Sequence, residues 1–322
     1  MMRVARPTTI TDKTLNRIIL IAGLGLLIGI PLFVGFYFVE RHVDPGARMA
    51  DRTVTEAEAA VQADPKSLAA RDHLAAAYVS ADRFADGVTQ FTEALKIDSK
   101  DRAALLGRGI AYYQQKQYDA AAADLQTFIT GNSAGEFAKQ DPQLEQAYYE
   151  LGAIQVEQGR NTDAVVTLEK ALKINAGDAD ALYSLGVALT RTGDPAKGVL
   201  ALKQAVAFVP TDWCDPYAAL VPAYQALGSA DGVAYANGMV SFCSGSYAAA
   251  TTALKPLTSG AMATDALIGL ALTSAKTGDR DAARAYYQQV LAKDPTNQSA
   301  IIGLSSIVGG TSSAAPSPSG SK

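Results

Sequence analysis

Four stretches of the chain repeat one pattern of small and large apolar positions set among polar ones: LAAAYVSADRFADGVTQFTEAL (74–95), RGIAYYQQKQYDAAAADLQTFI (108–129), LGAIQVEQGRNTDAVVTLEKAL (151–172) and LGVALTRTGDPAKGVLALKQAV (185–206). Each predicts two helices joined by a tight turn. The first helix carries a small residue at Ala75, Gly109, Gly152 or Gly186 and a larger one three positions on, at Tyr78, Tyr112, Gln155 or Leu189. The turn often holds glycine, as at Gly159 and Gly193. The second helix has small residues at Gly87, Ala121, Ala164 and Gly198, and larger ones four on at Phe91, Leu125, Leu168 and Leu202. Ala94, Phe128, Ala171 and Ala205 follow three further on. Two antiparallel helices need this alternation to approach closely at one point and interdigitate around it.

The pattern has a period. Ala75 and Gly109 are 34 residues apart, as are Gly152 and Gly186, while Gly109 and Gly152 are 43 apart. The excess of nine falls in GNSAGEFAKQDPQ, which reads as a loop between repeats. With Leu151-Gly152, Leu185-Gly186, Ala171, Ala205 and the closing Pro210, the chain resembles the tetratricopeptide repeat family, in a membrane-anchored, bacterial-type form. It departs from the family at Arg108, which replaces the apolar residue before Gly109, and in lacking a Trp in any of the four first helices. The resemblance implies a right-handed α-solenoid of helix pairs.

Beyond Pro210 the pattern is degenerate. Residues 231–297 read as two further repeats, the first with Gly238, Gly245, Tyr247, Ala250 and Leu254, the second with Gly278, Ala283, Tyr287 and Pro295. Gly186 and Gly238 are 52 apart, one period plus 18, so residues 213–230 are expected to hold a single, unpaired, inserted helix. In it Pro216 suits a first helical position and Pro222 is expected to kink the chain. The four clear repeats then occupy 68–212. Residues 48–65, with Ala60 and Pro65 in place, resemble half a repeat, so 40–67 is read as a membrane-proximal segment with a capping helix. Residues 298–308 are read as the opposite cap and the Ser/Gly/Pro-rich 309–322 as a disordered tail.

Ahead of the repeats, IILIAGLGLLIGIPLFVGFYFV (18–39) has 22 residues and no charge. As a helix it spans about 33 Å, enough for a bilayer core of about 30 Å. It is longer than a signal-peptide apolar region and no small-x-small site follows it, so it reads as an uncleaved transmembrane helix. The whole chain is therefore expected to be all-α, a single N-terminal transmembrane helix followed by the solenoid. Residues 1–17 carry four Lys/Arg, which by a narrow margin places them in the cytoplasm and the repeat domain outside it. Gly25 and Gly29 form a GxxxG step through which two anchors could pair as a homodimer, although glycine is common in membrane helices.

Charge narrows the partners. The chain is 48% hydrophobic and 19% charged with a net charge of -4. Residues 1–48 carry six basic and three acidic side chains, a net +3, so the remainder carries -7. A body of that sign lacks the clustered Lys/Arg that phosphate binding needs, and no nucleic-acid partner is expected. Chemistry is equally sparse. There are two His, His42 and His73, and two Cys, without metal-ligand spacing, and no HExxH, GxSxG or P-loop motif. His73 reads as a surface residue. The acid pairs Glu56/Glu58 and Asp279/Asp281 fall on helix starts or polar faces. No cofactor and no metal are expected, and the chain reads as a binding protein rather than an enzyme.

In tetratricopeptide arrays the first helices line an inner groove, and the resemblance implies that the second, fifth, ninth, twelfth and thirteenth positions of each repeat are exposed there. These are Asp72, Ala76, Val79 and Ser80 in the first repeat, then Leu106, Ile110, Tyr113 and Gln114. The third repeat supplies Gln146, Tyr149, Ala153, Val156 and Glu157, and the fourth Asp180, Tyr183, Val187 and Arg191. The family's Lys/Asn/Asn/Lys/Arg set for a chaperone's terminal carboxylate is replaced by Asp72, Ala76, Gly107, Gln146 and Glu150, which disfavours that ligand. The expected partner-binding groove consists of Leu106, Ile110, Tyr113, Tyr149, Val156, Tyr183, Val187 and Arg191, for a protein or peptide partner.

Three functions compete. A membrane-anchored scaffold that assembles or recruits an envelope or membrane complex leads. A client-holding assembly factor, such as a cytochrome c maturation or secretion factor, is the second. An enzyme with a site in 213–263 is the third and rests only on Cys214 and Cys243. If the helices near 215–227 and 231–243 pack antiparallel, these two sulfurs lie at the same end and can form a disulfide rather than two separately buried thiols.

Overall fold

The computed structural model describes residues 45–208 and 213–308, and the expected transmembrane helix 18–39, its Gly25 and Gly29, and the tail 309–322 lie outside them. No helix among the described residues is long and apolar enough to cross a membrane. The described residues form fifteen α-helices and two short 3-10 turns, with no strand, in a helical-repeat solenoid. The chain divides into two compact units at Ile97 and Asp98.

In the first unit α1 (Pro45–Ala63) packs on α2 (Leu68–Ser80), which pairs with α3 (Phe84–Ile97). Val54 and Ala57 of α1 are buried against Leu74, Ala77 and Tyr78 of α2. The Tyr78 hydroxyl donates to Glu58 at 2.7 Å. Ala60, which matches the small position of the second helices, is exposed, because the apolar stripe of α1 runs through Val54 and Ala57. His73 is exposed on α2, as expected of a surface residue.

The second unit begins with three pairs, α4 (Arg102–Gln114) with α5 (Tyr118–Asn132), α6 (Pro142–Glu157) with α7 (Asn161–Ile174), and α8 (Ala179–Arg191) with α9 (Pro195–Phe208). In each, a glycine of the first helix receives a fully buried leucine of the second. A Cβ built on Gly109, Gly152 or Gly186 would lie 2.9, 2.5 or 2.6 Å from Cγ of Leu125, Leu168 or Leu202. The tightest junction is Gly186 with Gly198, where a Cβ on either would come within 3.0 Å of the other's carbonyl oxygen. The turns close through the left-handed region. Gly159 (φ 74°) and Gly193 (φ 90°) take it readily, while Asp82 (φ 57°) and Lys116 (φ 58°) adopt it in the equivalent turns of the first two pairs.

Arg108 has a clear reason to depart from the apolar pattern. Its guanidinium makes two hydrogen bonds to the carboxylate of Asp124, at 2.7 and 2.8 Å. Asp124 is buried in α5, so a leucine at 108 would strand a charge. Arg108→Leu, although closer to the family pattern, is expected to cost about 2 to 3 kcal/mol. The figure is below that for a fully buried pair because 19% and 11% of the two side chains remain exposed. Thermal unfolding of this variant and of Arg108→Leu/Asp124→Leu, which should recover most of the loss, checks it.

The helix expected to stand unpaired, α10 (Asp215–Ala226), does not. It packs on α9 and α8 behind it and pairs with α11 (Ala230–Cys243) ahead. The reason is Gly232, where a Cβ would lie 2.3 Å from a ring carbon of Tyr224, so the glycine lets that ring rest on the α11 backbone. Pro222 is accommodated within an unbroken helix. On its other side α11 meets α12 (Tyr247–Leu254) through Gly238 and Leu254, the same contact seen in the regular pairs. One helix therefore closes the pair begun by α10 and opens the next.

The rest follows this shifted phase. Helix α13 (Ala263–Lys276) pairs with α14 (Arg280–Lys293) and contacts α11. The terminal α15 (Gln298–Val308) covers α14, with Ala300 buried and Gly303 against the Tyr287 ring. Its outer side leaves Ile301 and Ile302 exposed.

Candidate functional site

The first helices α4, α6, α8 and α10 follow one another in contact and build one face of the second unit. Helix caps fix their starts. Asp101, Asp141 and Asp178 each accept backbone N–H groups at the head of α4, α6 and α8. Arg102, held by Asn132, Asp141 and Gln143, ties the head of α4 to the loop that carries the nine extra residues.

Of the eight residues expected in the groove, Ile110, Tyr113, Tyr149, Tyr183 and Val187 are half-buried and Arg191 is exposed. Leu106 and Val156 correct the expectation, at 6% and 8% exposure. Successive first helices meet along that line, so these two side chains, and Ala153 with them, fill the junction between helices. Arg191 donates to the Val156 carbonyl at 3.2 Å and so bridges α8 to α6.

Trp213 belongs to the same surface, although its sequence position assigns it to no repeat. Its ring meets Tyr183 edge-on at 5.1 Å between centroids, and its indole N–H donates to Asp215 at 3.1 Å. It is fixed by its neighbour. The Cys214 and Cys243 sulfurs are at bonding distance with Cα atoms 5.9 Å apart, so α10 and α11 are stapled at one end. Neither cysteine is a free thiol.

The electrostatics of this face are acidic. Glu150, on α6, is only 5% exposed. Burial, and then the negative charge of Asp180 and Asp178, push its carboxyl up to about 7, against an opposing hydrogen bond with Gln146. Glu145 is raised to about 8 by burial and by a hydrogen-bonded approach to Asp178. Burial also raises Asp180. It lifts the Tyr113 phenol to about 12, helped by Glu150 and Glu157, and raises Tyr149 further still. Tyr183 is raised by burial and by Asp215.

A sign follows for stability. Glu145 and Glu150 keep their protons in the folded chain to higher pH than the ordinary value of 4.5 allows in the unfolded one. The folded state thus binds more protons across the window from about 4.5 to about 8, and stability falls as pH rises through it. The urea midpoint is expected to drop between about pH 5 and about pH 8. Glu150→Gln should remove the portion that ends near neutrality, and a midpoint that rises over this interval would contradict the assignment.

Two clefts open elsewhere on this unit. One, of about 400 Å³, is lined by Lys116 to Ala120 and Gln158, at the turn of the α4–α5 pair. The other, of about 350 Å³, is lined by Gln140, Pro142, Glu145, Ile174 and Asn175. Neither includes the groove tyrosines.

Comparison with known proteins agrees with this architecture. Residues 154–193 match a model described as TPR repeat, and residues 73–137 and 265–297 match models described as tetratricopeptide repeat. The chain carries tetratricopeptide repeats, and its helical stack is a solenoid of that type. It is similar to cellulose synthase 1 operon protein C of Komagataeibacter xylinus, with 32% identity over 162 residues. That match takes in 49% of this chain and spans only 12% of the relative's length. Among solved structures it is similar to YrrB, a TPR protein with an unusual peptide-binding site, at 16% identity and a TM-score of 0.50, covering 62% of this chain and 97% of that one. MamA is similar at 20% identity and a TM-score of 0.48, covering 56% and 93%. At these identities the structural likeness concerns the fold alone.

Proposed function

We propose that this chain is a membrane-anchored scaffold that binds an extended segment of a protein partner on the face built by α4, α6 and α8, and that it recruits that partner to an envelope or membrane complex. It binds and does not catalyse. The observation that carries the reading is the row of half-buried tyrosines, Tyr113, Tyr149 and Tyr183, one on each successive first helix. Half-buried tyrosines offer large contact area with little conformational entropy left to lose. The repeat architecture supports it, since tetratricopeptide proteins generally bind proteins or peptides, and the similar YrrB is described by its peptide-binding site. Anchoring rests on the uncharged segment 18–39, and placement of the repeats outside the cytoplasm on the Lys/Arg bias together with a cysteine pair that an oxidising compartment would keep bonded.

The test is co-purification of the full chain from native membranes with mass spectrometry, beside Tyr149→Ala/Tyr183→Ala. The double variant should fold, with unchanged helical content, and lose its partner. Equal partner recovery from both chains would remove the groove from the reading. Failure of the chain to sediment with membranes would remove the anchor.

A further inference from the structure

The side chains around the groove tyrosines define the chemistry of what they hold. Glu150 follows Tyr149 on α6, Asp180 lies one turn before Tyr183 on α8, and Asp215 accepts the indole N–H of Trp213, whose ring meets Tyr183. After burial, the charges of Glu150, Glu157, Asp180 and Asp215 raise the tyrosine phenols, opposed at Tyr183 by Arg191. Elsewhere in this unit three sheltered carboxylates are neutralised from within, Asp124 by Arg108, Asp141 by Arg102 and Asp265 by Lys203. Among the described residues none of the four groove carboxyls has an ion-pair partner, and of the four Glu150 is buried while Glu157, Asp180 and Asp215 are exposed. Glu150 is more deeply buried than Asp124 and yet makes no ion pair; burial and then the charges of Asp180 and Asp178 raise its carboxyl, which is hydrogen-bonded to Gln146. The one basic side chain of the expected groove, Arg191, is turned onto a backbone carbonyl.

A carboxyl sheltered from water without a counter-charge is costly, and the cost is recovered when a cation arrives from outside. Aromatic faces beside the carboxyls add attraction for the same ligand, because guanidinium and ammonium groups stack on Tyr and Trp rings. Rings and acids follow one another here along three successive helices to the head of a fourth, from Tyr113 on α4 through Tyr149 with Glu150 and Tyr183 with Asp180 to Trp213, just before α10, with Asp215.

Resting on the groove reading above, we infer that the groove's occupant is a cationic segment of a partner protein, an extended peptide whose Lys or Arg side chains enter between the tyrosine rings to meet Glu150 and Asp180. It discriminates against acidic tails at the positions where related repeats place cations to capture a carboxylate.

The test uses the full chain in detergent and three fluorescent twelve-residue peptides of one Ala/Gln/Leu background, carrying four Arg, four Glu or no charge. The Arg peptide should bind about tenfold more tightly than the uncharged one and the Glu peptide more weakly than either. Its affinity should fall steeply as salt is raised from about 0.05 M to about 0.5 M. Glu150→Gln/Asp180→Asn, checked for unchanged circular dichroism, should reduce Arg-peptide binding about tenfold and leave the uncharged peptide unaffected. If that variant misfolds, Glu157→Gln/Asp215→Asn at the more exposed positions serves the same purpose, with a smaller loss in the same direction. Equal binding of the three peptides, sensitive to Tyr149→Ala, overturns the cationic assignment and leaves the groove. Binding of none, or binding indifferent to Tyr149→Ala, overturns both.

Discussion

Replacing Cys214 and Cys243 together by serine is expected to lower stability by about 3 to 4 kcal/mol, the chain-entropy value for opening a loop of this size. The bond closes 29 residues of sequence that contain all of α10 and most of α11. This is the segment with the least regular packing. Pro222 cannot donate a backbone hydrogen bond inside α10, and α11 must serve two pairs at once. In a solenoid each element leans mainly on its neighbours, so the loss should be local before it is global. Hydrogen exchange should therefore show residues 214–243 losing protection first, with α6 to α8 still protected. Trp213 supplies an optical readout, because its ring is held against Tyr183 by the adjacent staple. Its emission should shift on reduction of the native protein, and uniform loss of protection across both units would contradict this account.

The second large effect concerns one contact. Leu168 is fully buried and its branch point sits over Gly152, so Leu168→Ala opens a void lined on one side by a residue with no side chain to fill it. The expected cost is about 3 to 5 kcal/mol, in the upper part of the range for such truncations. Gly152→Ala alone should also destabilise, by about 1 to 3 kcal/mol, because its new methyl group would lie 2.5 Å from Leu168 Cγ. In the Leu168→Ala background the sign should reverse. The methyl group then enters the void and the helix gains about 1 kcal/mol of intrinsic propensity. A double-mutant cycle by urea denaturation measures this coupling, and additive losses would show that the two residues do not share the space.

Much of the architecture was legible in the sequence because close helix approach leaves a strict mark. A small residue opposite a large one, returning every 34 positions, is what stacked helix pairs require, and Gly109, Gly152 and Gly186 met their leucines as the spacing demanded. The cysteine pair was legible for a similar reason, as two helices of similar length about one turn bring residues equidistant from it together. The pairing of α10 was misread although its signal was present. Gly232 follows Gly198 by 34 residues, so α11 is in register as a second helix, but Gly238 in the same helix marks it equally as a first helix.

The groove was legible only in part. The positions that follow from the resemblance fall on one side of each first helix, but Leu106 and Val156 lie where neighbouring first helices touch, and that depends on how closely repeats stack. Nor could spacing reveal that Arg108 serves Asp124 while Glu150 is left without a cation. Both are charged residues in first helices, and only the packed neighbours separate a paired side chain from one without an ion-pair partner.

The helix used twice also sets a ruler. The first helices α4, α6, α8 and α10 form one row, and the row that continues beyond it, from α11 through α13 to α15, begins on what was the second-helix side. The tyrosine-bearing surface therefore ends at α10. Four helices at an interaxial distance of about 8 to 10 Å span about 27 Å, the length of about eight residues of extended chain. If the proposed partner segment lies along this row, lengthening it beyond about eight residues is expected to add little affinity.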